Sequence, residues 1–276
     1  MQTWVVGDSL KWRPLGSFGV EIEHDLSVPL PPATAERFVA LLWEWGLVVA
    51  HGQKLSMQQQ SSLMALLGPI LRRSGETGYL TTASGSEASL SELSFHADAA
   101  YTKAPFDALS LHAIDVVNGA SSTRFASAQR AYDLLPPQLR ERLAEHAAEM
   151  ISPNFETIGK RSCEIREHAP MRHALLPSIF VNPHTARRCV WVSEMHAARL
   201  AGMDWEESRT LLNAVFDHLY AQENVYEHSW HQGDLVIWDN IALQHSRGTL
   251  KNAGRRILQR VIVGTEGVCP QIPLNA

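Results

Sequence analysis

The run GDLVIWDNIALQHSRGTLKNAGRRILQRVIVG, residues 233–264, sets the strongest limit on the fold. Its two ends, GDLVIWDN and RRILQRVIVG, are short, apolar and rich in β-branched residues, the pattern of strands. Within the second, Arg256, Leu258 and Arg260 share one face, because successive side chains on a strand alternate. Two guanidinium groups on a covered face are costly to bury unless they meet anions. The chain therefore needs a β-sheet whose enclosed face holds negatively charged groups.

A second stretch supplies a reason for such a face. SELSFHADAAY, residues 91–101, carries His96 and Asp98 one residue apart in a β-prone setting. On a strand the two point to the same side and can converge on one ion. Two protein ligands bind weakly, so a third must come from elsewhere, and His245 lies in the distal run, expected just after a buried strand and an Asp239-Asn240 turn. Two histidines and one carboxylate on one face of an octahedron leave positions open for a cosubstrate and O2, the arrangement of non-haem Fe(II) oxygenases.

Between these stretches the chain alternates short strands with amphipathic helices. PLPPATAERFVALLWEWG predicts a helix, with Phe38, Leu41, Leu42 and Trp45 on one face and Gly46 ending it. LVVAHGQ follows as a strand, and MQQQSSLMALLG as a helix stopped by Gly68. ALSLHAIDVV, SIFVNP and RRCVWVS read as strands. AQRAYDLLPPQLRERLAEHAAEM reads as helical on both sides of a Pro-Pro break, and DWEESRTLLNAVFDHLYAQ as an amphipathic helix. Residues 72–93 and 151–175 are polar and aperiodic and are expected to be long loops. No linker divides the chain, so residues 1–276 are expected to form one domain.

The net charge of −5 gives no electrostatic case for nucleic acid or an anionic membrane surface. No apolar run is long enough to span a membrane, and the N-terminus lacks a secretory signal. Cys163, Cys189 and Cys269 are far apart and odd in number, which suggests a reducing, cytoplasmic compartment.

The chain resembles the taurine dioxygenase-like family of Fe(II)/2-oxoglutarate-dependent oxygenases. The resemblance is nearly end to end. It runs from PLGSFGVEIEHDL through GLVVAHGQKLSMQQQ, FHADAAY, SSTRFAS and ARLAGMDWEES to GDLVIWDNIALQH and RRILQRVIVG. It implies a mainly β fold with packed helices, around a double-stranded β-helix (jelly-roll) core. It implies that His96, Asp98 and His245 hold Fe(II). Arg256 and Thr123 would hold the distal carboxylate of 2-oxoglutarate, the cosubstrate used with O2. Arg260 matches a position that grips an acidic group of the substrate, and Arg73, Glu92 and His196 fall at substrate-pocket positions. Phe95 replaces a tryptophan of the family pattern, and Gly119-Ala-Ser-Ser-Thr123 stands in place of the usual Gly-Gly-x-Thr, as a one-residue insertion or shift. The iron and cosubstrate positions are kept while the pocket positions differ, so taurine itself is not expected as substrate.

The implied reaction oxidises, by hydroxylation first of all, an unactivated C–H of a small anionic molecule, with release of succinate and CO2. Desaturation, cyclisation or another oxidative outcome uses the same residues. A zinc hydrolase is disfavoured by the paired arginines, and a non-catalytic jelly-roll binding protein by the full iron and cosubstrate set. The expected partner is a small-molecule substrate, with no nucleic acid and no membrane, and homo-oligomerisation stays open. The two long loops are candidate lids over the site.

Overall fold

A computed structural model describes residues 3–6, 10–71, 78–82, 90–152, 159–166 and 173–265. Two facing sheets form its centre. The larger contains β1 (Leu47–Ala50), β2 (Tyr79–Thr81), β4 (Ala108–Val116), β7 (Leu235–Asp239) and β9 (Arg256–Val263). The smaller contains β3 (Leu93–His96), β5 (Ser122–Ser127), β6 (Val225–Ser229) and β8 (Leu243–Arg247). The larger sheet runs β1-β7-β4-β9, with β2 on the far side of β9, and the smaller runs β6-β5-β8-β3. Every pairing among these strands is antiparallel. The chain passes from sheet to sheet between β2 and β5 and again between β6 and β9, giving a double-stranded β-helix.

The period of two decides what fills the centre. Leu109, Leu111 and Ala113 of β4, Val236 and Trp238 of β7, and Leu258 and Ile262 of β9 pack with Phe125 of β5 and Leu243 of β8 in one buried cluster. The alternate residues Leu235, Ile237, Val261 and Val263 face the other way. They pack under the helix Pro32–Trp45, through Phe38, Leu41 and Leu42. That helix ends where expected, at Gly46 with φ 76°, a left-handed conformation glycine adopts at little cost. A separate cluster joins the helix Trp205–Leu219 to a three-stranded sheet of Ala147–Ile151, His173–Pro177 and Ala197–Leu200.

Two local expectations differ from the structure. Residues Ala147–Ile151 form a strand, although HAAEM reads as the tail of a helix, because they pair with strands on both sides. Favourable pairing overrides weak local propensity here. His245 lies in the middle of a strand of its own, paired with His96 across β8 and β3, rather than after one. Within the two segments expected as loops, Tyr79–Thr81 is β2 and Ser162–Glu164 is a single 3-10 turn. Residues 72–77, 83–89, 153–158 and 167–172 of those segments lie outside the described residues. No described helix is long and apolar enough to cross a membrane.

Candidate metal centre

His96 ends β3 and His245 sits opposite it on β8, so the pairing of two strands sets two imidazoles side by side with ring centres 4.3 Å apart. Asp98 lies two residues on, in the turn that follows β3, rather than on the strand with His96. The chain bends through Ala99, whose φ of 60° lies in the left-handed region, a conformation that costs a residue with Cβ about 1 kcal/mol. One donor atom from each of His96, Asp98 and His245 lies within 4.8 Å of the others. Asp98 Oδ1 is 3.4 Å from His96 Nε2 and 3.7 Å from His245 Nε2.

The donor set suits a divalent cation. His96 Nδ1 donates to the Ser94 carbonyl at 2.8 Å, since a carbonyl only accepts, and this turns Nε2 toward Asp98. Burial pushes the His245 imidazole down to about 3, and the neighbouring His96 adds to this, so the ring is neutral near pH 7. Burial alone would raise the Asp98 carboxyl. Its neighbours His96, His245 and Arg260 outweigh it and hold the group well below the usual carboxylate range. A neutral imidazole at His245 and an ionised carboxyl at Asp98 are the protonation states a metal needs of those two ligands.

Asn240 holds Asp98 in place. Its Oδ1 accepts from the Asp98 peptide N–H at 2.9 Å, while its Nδ2 donates to the Asp98 carbonyl at 2.9 Å and the Phe106 carbonyl at 3.1 Å. The preceding Asp239 accepts from the Ile241 and Ala242 N–H groups and from Asn182 Nδ2, which fixes the turn leading into β8. Loss of such supporting contacts weakens a metal site by roughly 10–100-fold. Asn240→Ala is therefore expected to lower metal affinity by about that factor in a calorimetric titration; unchanged affinity would show that the Ala99 turn alone sets the carboxylate.

The arginines fall as the strand period requires. Arg256 and Arg260 lie on the enclosed side of β9, where Leu258 and Ile262 join the central cluster. Arg260 Nη1 is 3.9 Å from Asp98 Oδ2. Arg256 is 4% exposed, and its Nε has no hydrogen-bond partner among the described residues. Burial pushes its guanidinium down to about 9, and the charge of Arg247 adds to this. A desolvated guanidinium in that condition is a ready seat for a carboxylate. Thr123 is buried on the enclosed face of β5, two residues before Phe125, and its Oγ1 accepts from Trp230 Nε1 at 2.9 Å.

The expected pocket residues separate. His196 is buried against the centre, 6.0 Å from the His96 ring and 5.3 Å from that of Tyr101, and its Nδ1 is hydrogen-bonded to the Ile151 carbonyl. Burial pushes this imidazole down to about 4, with His96 contributing. Glu92 is exposed and pairs with Arg124 at 3.5 Å, outside the His-Asp-His cluster. Arg73 lies outside the described residues. Sequence reasoning passed over Asn240, Arg247 and Trp230. Arg247 alone carried a local signal, since it follows His245 by the two-residue period of a strand.

Fold and centre together define a non-haem metal oxygenase of the double-stranded β-helix class. The taurine catabolism dioxygenase TauD, TfdA family matches residues 11–262, and the chain belongs to that family. It is 26% identical over 272 residues to an alpha-ketoglutarate-dependent 2,4-dichlorophenoxyacetate dioxygenase of Cupriavidus pinatubonensis, covering 90% of this chain and 94% of the relative. It is 26% identical over 267 residues to an alpha-ketoglutarate-dependent sulfate ester dioxygenase of Pseudomonas putida, covering 91% and 88%. A crystal structure of a taurine dioxygenase from Burkholderia xenovorans shares the fold, with a TM-score of 0.77 at 21% identity over 95% of this chain and 93% of that one. The protein is an Fe(II)- and 2-oxoglutarate-dependent dioxygenase, an oxidoreductase that uses O2.

Proposed function

We propose that His96, Asp98 and His245 hold the iron, that Arg256 and Thr123 hold the distal carboxylate of 2-oxoglutarate, and that Arg260 faces a small anionic organic substrate, which is hydroxylated at an unactivated C–H. When bound, iron and cosubstrate supply the oxidation itself, in which 2-oxoglutarate becomes succinate and CO2. The residues of the chain bind, orient and exclude water. Arg256 neutralises the far end of the cosubstrate, Thr123 donates a hydrogen bond to it, and Phe125 and Trp238 keep the centre dry beside His245. His196 lines the substrate side next to His96. The enzyme works in the cytoplasm as a single domain.

The position of Arg260 carries the substrate reading. It shares the enclosed face of β9 with Arg256 but lies at the Asp98 edge of the cluster. Two relatives that cover most of the chain are named for a phenoxyacetate and for sulfate esters, both anionic. The test is a succinate-release screen over aryloxyalkanoates, alkyl sulfates and sulfonates with Fe(II) and ascorbate. An anion is expected to stimulate release. Arg260→Ala is expected to weaken that substrate by about 2–5 kcal/mol while 2-oxoglutarate affinity, measured without substrate, changes little. Equal loss of cosubstrate binding in Arg260→Ala and Arg256→Ala would assign both arginines to 2-oxoglutarate or to the fold.

A further inference from the structure

We propose that Trp230 is a positioning residue for the cosubstrate: its indole N–H holds the Thr123 hydroxyl so that the hydroxyl's own hydrogen is aimed at the distal carboxylate of 2-oxoglutarate. The inference rests on the assignment of Thr123 and Arg256 to that carboxylate.

An indole nitrogen only donates, whereas a threonine hydroxyl donates once and accepts twice. Trp230 Nε1 lies 2.9 Å from Thr123 Oγ1, so the hydroxyl accepts there and its hydrogen is directed elsewhere. Among the described residues that hydroxyl donates no hydrogen bond, and Thr123 is only 3% exposed. A buried donor in that state is set for a ligand. Arg256 brings the complementary charge to the same part of the centre. Its guanidinium feels that of Arg247, which lies one step beyond the Ser246–Arg124 pair of β8 and β5. Continuing that register sets Arg247 opposite Thr123.

The indole is itself held from behind. Trp230 is fully buried, its peptide N–H donates to the Ser121 carbonyl at 3.0 Å, and its carbonyl accepts from the Gly119 N–H at 2.9 Å. These bonds tie it across the Gly119–Thr123 turn. The His228 ring stands edge-on to the indole at 4.7 Å, and His228 Nε2 lies 3.0 Å from the buried Asp234 carboxylate. Without the indole N–H, a threonine hydroxyl on a strand can turn its hydrogen to a nearby carbonyl instead. With it, N–H, O–H and carboxylate form a chain in which each bond polarises the next.

The test is a double-mutant cycle on the cosubstrate Kd, with 2-oxoglutarate titrated into the Fe(II)-loaded protein without O2. Thr123→Val is expected to weaken binding about 10-fold, and Trp230→Phe about fivefold. The double variant is expected to bind as Thr123→Val does, because without the hydroxyl the indole has nothing to orient. A cavity or packing effect of Trp230→Phe would add to that of Thr123→Val instead, and additivity overturns the proposal. If Thr123→Val and Arg256→Ala both leave the Kd unchanged, the cosubstrate assignment fails. If those two weaken binding and Trp230→Phe does not, the assignment stands and the role of Trp230 is refuted. Should Trp230→Phe not fold, benzothienylalanine at position 230 keeps the ring shape and removes only the N–H, and the same cycle applies. In the metal-free protein, the Trp230 indole N–H resonance is expected to shift on Thr123→Val and to be restored with Thr123→Ser; an unmoved resonance overturns the hydrogen bond itself.

Discussion

His96→Ala, Asp98→Ala and His245→Ala are each expected to reduce substrate-dependent succinate formation below detection while the protein stays folded. Each side chain offers one donor to a cluster within 4.8 Å, so any one loss leaves two protein ligands. Two ligands hold a divalent cation weakly, and Arg260 at 3.9 Å from the Asp98 carboxylate adds repulsion once that carboxylate is gone. The fold has other supports. The central cluster of Leu109, Phe125, Trp238 and Leu258 and the pairing of β7 with β4 include none of the three. Circular dichroism close to wild type, together with lost turnover, is the expected pair of results. Turnover near wild type in all three variants would remove the metal from this site.

Arg256→Ala is the second large effect. Its guanidinium is desolvated, its Nε has no partner among the described residues, and Arg247 beside it adds like charge. Removing one side of a buried charge pair costs about 3–5 kcal/mol. The 2-oxoglutarate requirement should therefore rise at least ~100-fold, since ~1.4 kcal/mol is tenfold. The guanidinium also repels its neighbour while no carboxylate is present. The variant is for that reason expected to lose little stability in the absence of cosubstrate, with a midpoint in urea close to wild type. An unchanged apparent affinity would move the carboxylate to another cation, and Arg247 would be the first to test.

Much of this centre was legible because it follows the two-residue period of strands. Arg256 and Arg260 fall on the enclosed face of β9, and His96 and His245 face each other across paired strands. The helix Pro32–Trp45 was legible from its apolar spacing and its terminal glycine. The strand carrying His245 was less so. Gln244 on its outer face is buried, with Tyr220 donating to its Oε1 and its Nε2 donating to the Val190 and Val192 carbonyls, so the apolar alternation of a strand is missing from the sequence. Asn240 and Trp230 were hidden for a different reason. Their decisive contacts, with Asp98 and Thr123, reach across 142 and 107 residues of chain, and nothing local marks them. Ala147–Ile151 was misread as helix because its strand character comes from partners on both sides rather than from its own side chains.

The most direct measurement is an anaerobic calorimetric titration of 2-oxoglutarate into the protein with and without Fe(II), repeated for Asp98→Ala and Arg256→Ala. One equivalent is expected to bind the iron-loaded wild type, with binding strongly weakened without metal and in either variant, because the cosubstrate needs the metal at one end and the guanidinium at the other. Binding of equal strength without iron, or in Asp98→Ala with iron present, would contradict a cosubstrate held on a His96–Asp98–His245 metal.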